Sequence, residues 1–494
     1  MRYSMLAYLT GMSGTLLEAA EYLRAAGQGG LQEELLDNGR QMIGLIREEL
    51  ERHSGDLRSD APLVRLAEIE ALWADRGEGL EARLKQFTRD LPRQVSYQVR
   101  AVFFAELGEK WDAMESVYAY MREDPRFDPI VVLTPVFRVR TENGEQRQDV
   151  IYRDYLTPLH IPFLPYDQYR IEEDCPELAF ISQPYESCTL QQFWPETIAK
   201  YARLVYLPYF LPSIVLKDYP SVLCQMPVYD VAWKVIGAGE KHHRYYQKYA
   251  HHGGGNMLVT GVPKMDPVIR AREEGVPLPS GWEGIKGKKT FLWNSWFDIN
   301  LSSLRFFEEI FDWFQQHTDC ALIWRPHPMT ETVVKVYYPD RAAHLRQCKE
   351  RIKAAPNTVL DEETSFLASF VYSHAQISDH SSMMQQYLPM DKPLLWFGIP
   401  AFGATGEEFI STDWMERGDT AKDILRFLER VKKGGDPNAQ LRETICRRDM
   451  PLEDGHCGQR VCEALWRELH MEDRLTDPYS EKGDATPCES NAKR

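Results

Sequence analysis

The chain has 494 residues, too many for one ordinary domain, and its 43% hydrophobic and 12% aromatic content can supply more than one core. A formal net charge of -16 excludes broad nucleic-acid binding, which needs clustered lysine and arginine; it leaves room for a local basic pocket around a small anion. No apolar run approaches the roughly 20 residues of a membrane helix, and the nine scattered cysteines are expected as reduced thiols in a cytoplasmic protein.

Residues 1–94 read as an all-α module. Thr15 and Glu18 have capping-box spacing, with Leu16, Ala20 and Leu23 following at helical spacing. Leu35, Met42, Ile46 and Leu50 continue a stripe, and Leu66, Ile69 and Trp73 form another. Gly27, Gly29 and Gly30 break the first pair of helices. The module carries no catalytic constellation. It reads as an accessory element, with a docking surface as the sharper alternative.

Residues 95–240 read as a first α/β domain. Tyr97 to Ala105 is a buried strand, Trp111, Met114, Val117 and Met121 mark a helix, and Pro129 to Leu133 is a second strand. Further strands are expected at Leu178–Ile181 and Leu204–Leu207. Gln183-Pro-Tyr185 and Pro208-Tyr209 follow them at ligand-facing ends.

Residues 241–471 read as a second α/β domain. Its strands are expected at 257–260, 290–293, 321–324, 358–360, 376–378 and, last, 394–397, with an amphipathic helix on Leu304, Phe307, Phe311 and Phe314. Residues 472–494 are polar and expected to be a disordered tail.

Chemistry concentrates at two strand ends of the second domain. Arg325-Pro-His-Pro328 follows a buried strand, where prolines hold the backbone extended. Arg325 offers a planar fork to phosphate, and His327 can serve as acid or base. Asp379-His380-Ser381-Ser382 lies where strand turns to helix. Backbone N–H groups and hydroxyls there suit a diphosphate, while Asp379 either caps the helix or meets a ribose hydroxyl. His380 faces the ligand or packs sideways. Lys264 can meet phosphate, and Asp266 can cap the next segment. His242-His243, His251-His252 and the Cys457, Cys462, His456 group lack defined metal spacing, so no metal site is expected. Walker, GxSxG and GxGxxG motifs are absent, which disfavours ATP hydrolysis, serine hydrolysis and NAD chemistry.

Arg325-Pro-His-Pro328, then Ser378-Asp-His-Ser-Ser382, then Lys392-Pro393 resemble, in order and spacing, the CDP-glycerol glycerophosphotransferase family of teichoic acid primases and polymerases. Gly261-Val-Pro-Lys-Met-Asp266, Gln183-Pro-Tyr185 and Val205-Tyr-Leu-Pro-Tyr209 are similar to other segments of it. The resemblance implies a GT-B-like α/β fold, with two doubly wound Rossmann-like domains facing across a cleft behind the helical module. It implies transfer of glycerol phosphate, or a related polyol phosphate, from a CDP-activated donor to a glycan, lipid-linked or polymer hydroxyl, with release of CMP. By carry-over Arg325 and His327 contact the donor phosphates and Ser381 and Ser382 hold the diphosphate; His380 or His327 is the expected base where the family's histidine is missing, unless the acceptor chemistry differs, so Arg325, His327 and His380 are the expected catalytic residues. Ser381, Ser382, Asp379, Lys264 and Asp266 are the expected donor contacts. No cofactor or metal is implied. A peripheral position at the inner membrane face is. Two departures stand out: the family's Trp-His-Gly segment reads Tyr209-Phe-Leu-Pro-Ser213 here, without a histidine, and His380 replaces a tyrosine. A nucleotide-sugar glycosyltransferase and a catalytically silent scaffold are the alternatives.

Overall fold

A computed structural model describes residues 1–25, 30–75, 77–142, 145–211, 214–216, 224–398 and 405–475. The expected breaks at Gly27 and Gly29, the tail from residue 476 onward, and Pro212-Ser213 lie outside the described residues.

The chain divides into two compact units. The first comprises residues 1–101, 121–128 and the chain from Cys462 on. It is thus wider than the expected 1–94 module, because the chain returns to it twice. Helices α1 (Tyr3–Ala25), α2 (Gly30–Arg52), α3 (Ala61–Asp75) and α4 (Leu80–Gln94) form its start. Thr15 lies inside α1, where its hydroxyl donates to Gly11 O at 3.2 Å, and does not cap it. The apolar stripe of Leu6, Leu9 and Met12 carries the helix back to Tyr3. In α2 the buried face is Leu36, Ile43, Ile46 and Leu50, displaced at its start from the expected Leu35 and Met42.

The fully buried Trp73 lies across α2, and its indole N–H donates to Leu36 O at 3.0 Å. A Cβ at Gly39 would sit 2.0 Å from Trp73 Cζ2. Gly→Ala in a helix ordinarily gains about 1 kcal/mol. Gly39→Ala is instead expected to destabilise the protein by about 1–3 kcal/mol through overpacking, read as a lower denaturant midpoint.

The second unit comprises residues 102–120 and 129–461. In chain order the strands are β1 (Val99–Ala105), β2 (Phe127–Leu133), β3 (Val136–Glu142), β4 (Glu145–Ile151), β5 (Leu164–Pro165), β6 (Leu178–Ile181), β7 (Arg203–Tyr206), β8 (Ile214–Leu216) and β9 (Lys234–Gly237). There follow β10 (Met257–Val259), β11 (Lys289–Ser295), β12 (Cys320–Pro326), β13 (Thr358–Leu360), β14 (Ala375–Ser378), β15 (Leu394–Phe397), β16 (Thr405–Glu408) and β17 (Glu416–Gly418). One sheet has the order β10-β9-β7-β6-β1-β2-β5 and the other β13-β12-β11-β14-β15-β17. β3 and β4 form a hairpin, and β8 pairs antiparallel with β16.

Two boundaries differ from expectation. β10 closes the first sheet, parallel to β9, with the helix Glu240–Tyr249 as their crossover. An expected division at 240/241 therefore cuts one βαβ unit, and the first sheet runs to Val259. β9, Lys234–Gly237, is not among the expected strands. At the other end β17 pairs with β15, so 394–397 is not the last strand.

Every ladder of the second sheet is parallel. Such strands are covered on both faces and read as unbroken apolar runs. Phe291 and Trp293 of β11 pack into one core and Leu292 into another. Trp324 stacks on Trp293 at 5.5 Å. Both buried indoles are satisfied, Trp293 by Ser303 Oγ at 2.8 Å and Trp324 by Ser295 Oγ at 3.0 Å. These bonds hold the carboxyl end of β11 in place.

Candidate active site

The second sheet reverses its winding between β11 and β14: β12 and β13 lie to one side, β15 and β17 to the other. The carboxyl ends of β11 and β14 therefore border the crevice where open α/β sheets take ligands. Asn294 joins the strands around it. Its amide donates to Arg325 O at 3.2 Å, its oxygen accepts from Ser378 Oγ at 3.3 Å, and its own carbonyl accepts from Asp379 N at 3.1 Å.

His327 follows β12, and its backbone N–H donates to Ser295 O at 3.0 Å. The ring stands edge-on to Phe297 at 5.3 Å. Its Nδ1 accepts the Met329 N–H at 3.1 Å, so the neutral ring carries its proton on Nε2. In that tautomer Nε2 is a hydrogen-bond donor and not a base.

The turn after β14 divides its tasks. Asp379 is 1% exposed. Its carboxylate accepts from Trp296 N at 2.7 Å and Ser303 N at 2.9 Å. It holds the segment after β11 and does not reach outward to a ribose. Burial lifts its carboxyl to about 6, against the backbone bonds that lower it. The helix after the turn is one turn long, Met383–Gln386, which leaves little dipole for an anion. Ser381 Oγ accepts from Met383 N at 3.2 Å. No described residue engages the Ser382 hydroxyl, which stays available. His380 packs against Trp396 at 5.7 Å; burial first, then the Arg417 charge, lower its imidazole and keep it neutral at neutral pH.

Three expected contacts are committed elsewhere. Arg325 donates to Asp361 Oδ2 at 2.8 Å and to the carbonyls of Glu363, Thr364 and Ser365 at 2.8, 3.2 and 3.3 Å. It binds the loop after β13. Lys264 is buried, with Nζ 2.5 Å from Asp112 Oδ2. Asp266 accepts from Cys457 N at 2.9 Å and Gly458 N at 2.8 Å, capping the helix Cys457–Glu472. Lys392 likewise serves structure: it donates to the carbonyls of Phe370 and Val371 at 2.7 and 2.9 Å.

Two arginines that sequence motifs did not single out stand at this edge. Arg305 is exposed, lies 5.2 Å from the Phe397 ring, and is near enough to Asp379 for its charge to lower that carboxyl. Arg417 of β17 lies 3.4 Å from the Trp396 ring centre and donates to Thr412 Oγ1 at 3.0 Å. No short motif surrounds either residue. Arg417 is brought here by the pairing of β17 with β15, a strand beyond the expected last one.

Among the described residues no three His, Cys, Asp or Glu side chains converge as a metal would need. His242 Nδ1 accepts from Ala238 N at 3.2 Å, and burial lowers its imidazole to about 4. His251 meets Asp230 at 3.0 Å, and His252 bonds Tyr229 O at 2.9 Å.

Two parallel sheets, each with a switch point between its strands, form a GT-B-like α/β frame. The family described as CDP-glycerol:poly(glycerophosphate) glycerophosphotransferase matches residues 223–467, and this segment belongs to it. Among solved structures, the UDP complex of MnaA from S. aureus is 11% identical, with 78% of this chain and 100% of that chain covered and a TM-score of 0.51. That likeness is one of fold. The UDP-GlcNAc 2-epimerase from Neisseria meningitidis bound to UDP-GlcNAc is 9% identical over 75% of this chain and 100% of its own, with a TM-score of 0.46. A variant of the wall teichoic acid polymerase TagF is 10% identical over 84% and 99%, with a TM-score of 0.48. No curated protein sequence matches the chain.

Proposed function

We propose that this protein transfers glycerol phosphate, or a related polyol phosphate, from a CDP-activated donor to a hydroxyl of a polymer, glycan or lipid-linked acceptor, releasing CMP. The reading rests on the family match, whose residues 223–467 contain the whole switch-point edge of the second sheet. Charge gathers on phosphoryl oxygens during such a transfer, and positioned cations and N–H donors lower its barrier. His327 Nε2–H, the Ser381 and Ser382 hydroxyls and the guanidinium groups of Arg305 and Arg417 are assigned to the donor diphosphate. His380 is a neutral neighbour of that site. Arg325 and Asp379 are assigned to holding the edge in shape, Lys264 to its buried pair with Asp112, and Asp266 to capping the helix Cys457–Glu472. The reading gives no step to a metal or cofactor. A lipid-linked acceptor would bring the protein to the inner membrane face peripherally; no helix among the described residues is long and apolar enough to cross a membrane.

The test offers CDP-glycerol, CDP-ribitol and nucleotide sugars with a poly(glycerol phosphate) oligomer. CMP release is expected, falling at least about tenfold in His327→Ala, or roughly 1.4 kcal/mol of transition-state stabilisation. The Arg305→Ala/Arg417→Ala pair is expected to fall by at least as much, since each charge-assisted bond contributes about 1.5–3 kcal/mol. Release of a nucleoside diphosphate from a nucleotide sugar, with no CMP, would replace this reading by a glycosyltransferase. Failure of every donor to bind would favour a silent scaffold.

A further inference from the structure

The first sheet has its own switch point, between β1 and β6, and polar groups gather there that the donor site does not use. Glu106 directly follows β1 and is 8% exposed. Lys110 Nζ lies 3.2 Å from its carboxylate and 5.0 Å from the Tyr209 ring centre. Burial raises the Glu106 carboxyl above its ordinary value, and the Lys110 charge opposes the rise. Burial first, with the Glu106 charge among the smaller causes, raises the phenols of Tyr155 and Tyr209.

Two buried atoms at this edge have no partner among the described residues: the Tyr155 hydroxyl and Gln183 Oε1. Gln183 follows β6 and is 6% exposed. A buried polar atom without a partner is destabilising, and a bound ligand removes that cost. The group also borders the second sheet. A Cβ at Gly108 would sit 2.7 Å from Thr364 Cγ2 and 3.3 Å from Tyr155 Cγ. Thr364 belongs to the loop that Arg325 binds. The turn carrying Glu106 is therefore in contact with the donor-side sheet.

Transfer to a hydroxyl calls for a base, and the expected histidine is missing at Tyr209-Phe210. His327 presents Nε2–H, and His380 has a lowered, weakly basic imidazole. We propose that Glu106 is the general base for the acceptor, and that Tyr155 and Gln183 bind the end of a polyol phosphate chain. The proposal rests on the transfer reaction above. The acceptor oxygen bonds to the phosphorus that bears glycerol. The bond from that phosphorus to the bridging oxygen breaks, its electron pair leaving with CMP. The hydroxyl proton passes to Glu106 and then to solvent. Lys110 favours the ionised carboxylate that this task needs, against the burial that raises it.

The test uses the full chain with CDP-glycerol and a poly(glycerol phosphate) oligomer. Glu106→Gln is expected to lower kcat at least about 100-fold, in the range of general-base effects, with CDP-glycerol binding by calorimetry unchanged. Wild-type kcat should fall as pH drops and Glu106 protonates, and Glu106→Gln should lack that acid limb. The titratable groups that interact with Glu106 are Lys110 on its own turn and Tyr155 and Tyr209 from the sheet edge. Tyr155→Phe is expected to raise the acceptor KM several-fold, and with the wild-type acid limb it decides the matter if Glu106→Gln does not fold. Wild-type kcat in Glu106→Gln, or an unchanged acceptor KM in Tyr155→Phe, overturns the assignment. A wild-type protein that releases no CMP overturns the transfer reaction itself, and this assignment with it.

Discussion

Arg325→Ala is expected to lower stability by about 3–5 kcal/mol, whether or not a donor is present. The side chains of Arg325 and Asp361 are 11% and 1% exposed, so removing the guanidinium strands a buried carboxylate. Asp361 would keep the Ser369 hydroxyl and the Glu363 N–H at 3.1 Å, which replace only part of the lost interaction. The carbonyls of Glu363, Thr364 and Ser365 would lose their donor together. Arg325→Lys should not restore stability, because a single ammonium cannot fork between a carboxylate and three carbonyls. Denaturant unfolding of both variants, beside CDP-glycerol binding, is the measurement. Wild-type unfolding with lost donor affinity would return Arg325 to the donor site. Activity should fall too, since the same loop meets Gly108 at the edge of the first sheet.

Lys264→Met is expected to cost about 3 kcal/mol at neutral pH and less in acid. The figure takes the low end for a broken buried ion pair, because the Asp112 side chain keeps 20% exposure. Burial already raises the Asp112 carboxyl above its ordinary value, and Lys264 is the main force opposing that rise. A carboxyl raised on folding takes up protons in the native state, so its contribution to stability falls as pH rises through the raised value. Without Lys264 the rise grows. The deficit of the variant should therefore be largest at neutral pH and shrink as Asp112 protonates. Unfolding midpoints measured along a pH series test this. A deficit independent of pH, or a loss of donor affinity with none, would argue against a structural lysine.

Both expectations concern residues whose neighbours in sequence look like ligand contacts. Polar side chains after a buried strand read alike whether they meet a substrate or another loop. Arg325 and Asp361 are 36 positions apart, and Asp266 and Cys457 are 191 apart. No local pattern registers such pairs. Asp379 presented the same ambiguity: helix cap or ribose contact were both open, and it holds the backbone of Trp296 and Ser303. Arg417 was overlooked for the converse reason. Its strand is three residues long and gains its place only through pairing with β15.

All strands of the second sheet but β17 were plain in the chain, because parallel strands covered on both faces read as continuous apolar runs such as Phe291-Leu-Trp293 and Ala321-Leu-Ile-Trp324. So were the helices of the first unit, through stripes such as Leu66, Ile69 and Trp73. The order of the strand-end motifs likewise pointed to the family, since those motifs sit at short, fixed places along the sequence. Which motif residues hold the edge together, and that Glu106 pairs with Lys110 beside Tyr209, are matters of folding alone. A side chain's partner is set by which strands become neighbours, and charge, burial and hydrogen bonding act through space without regard to separation along the chain.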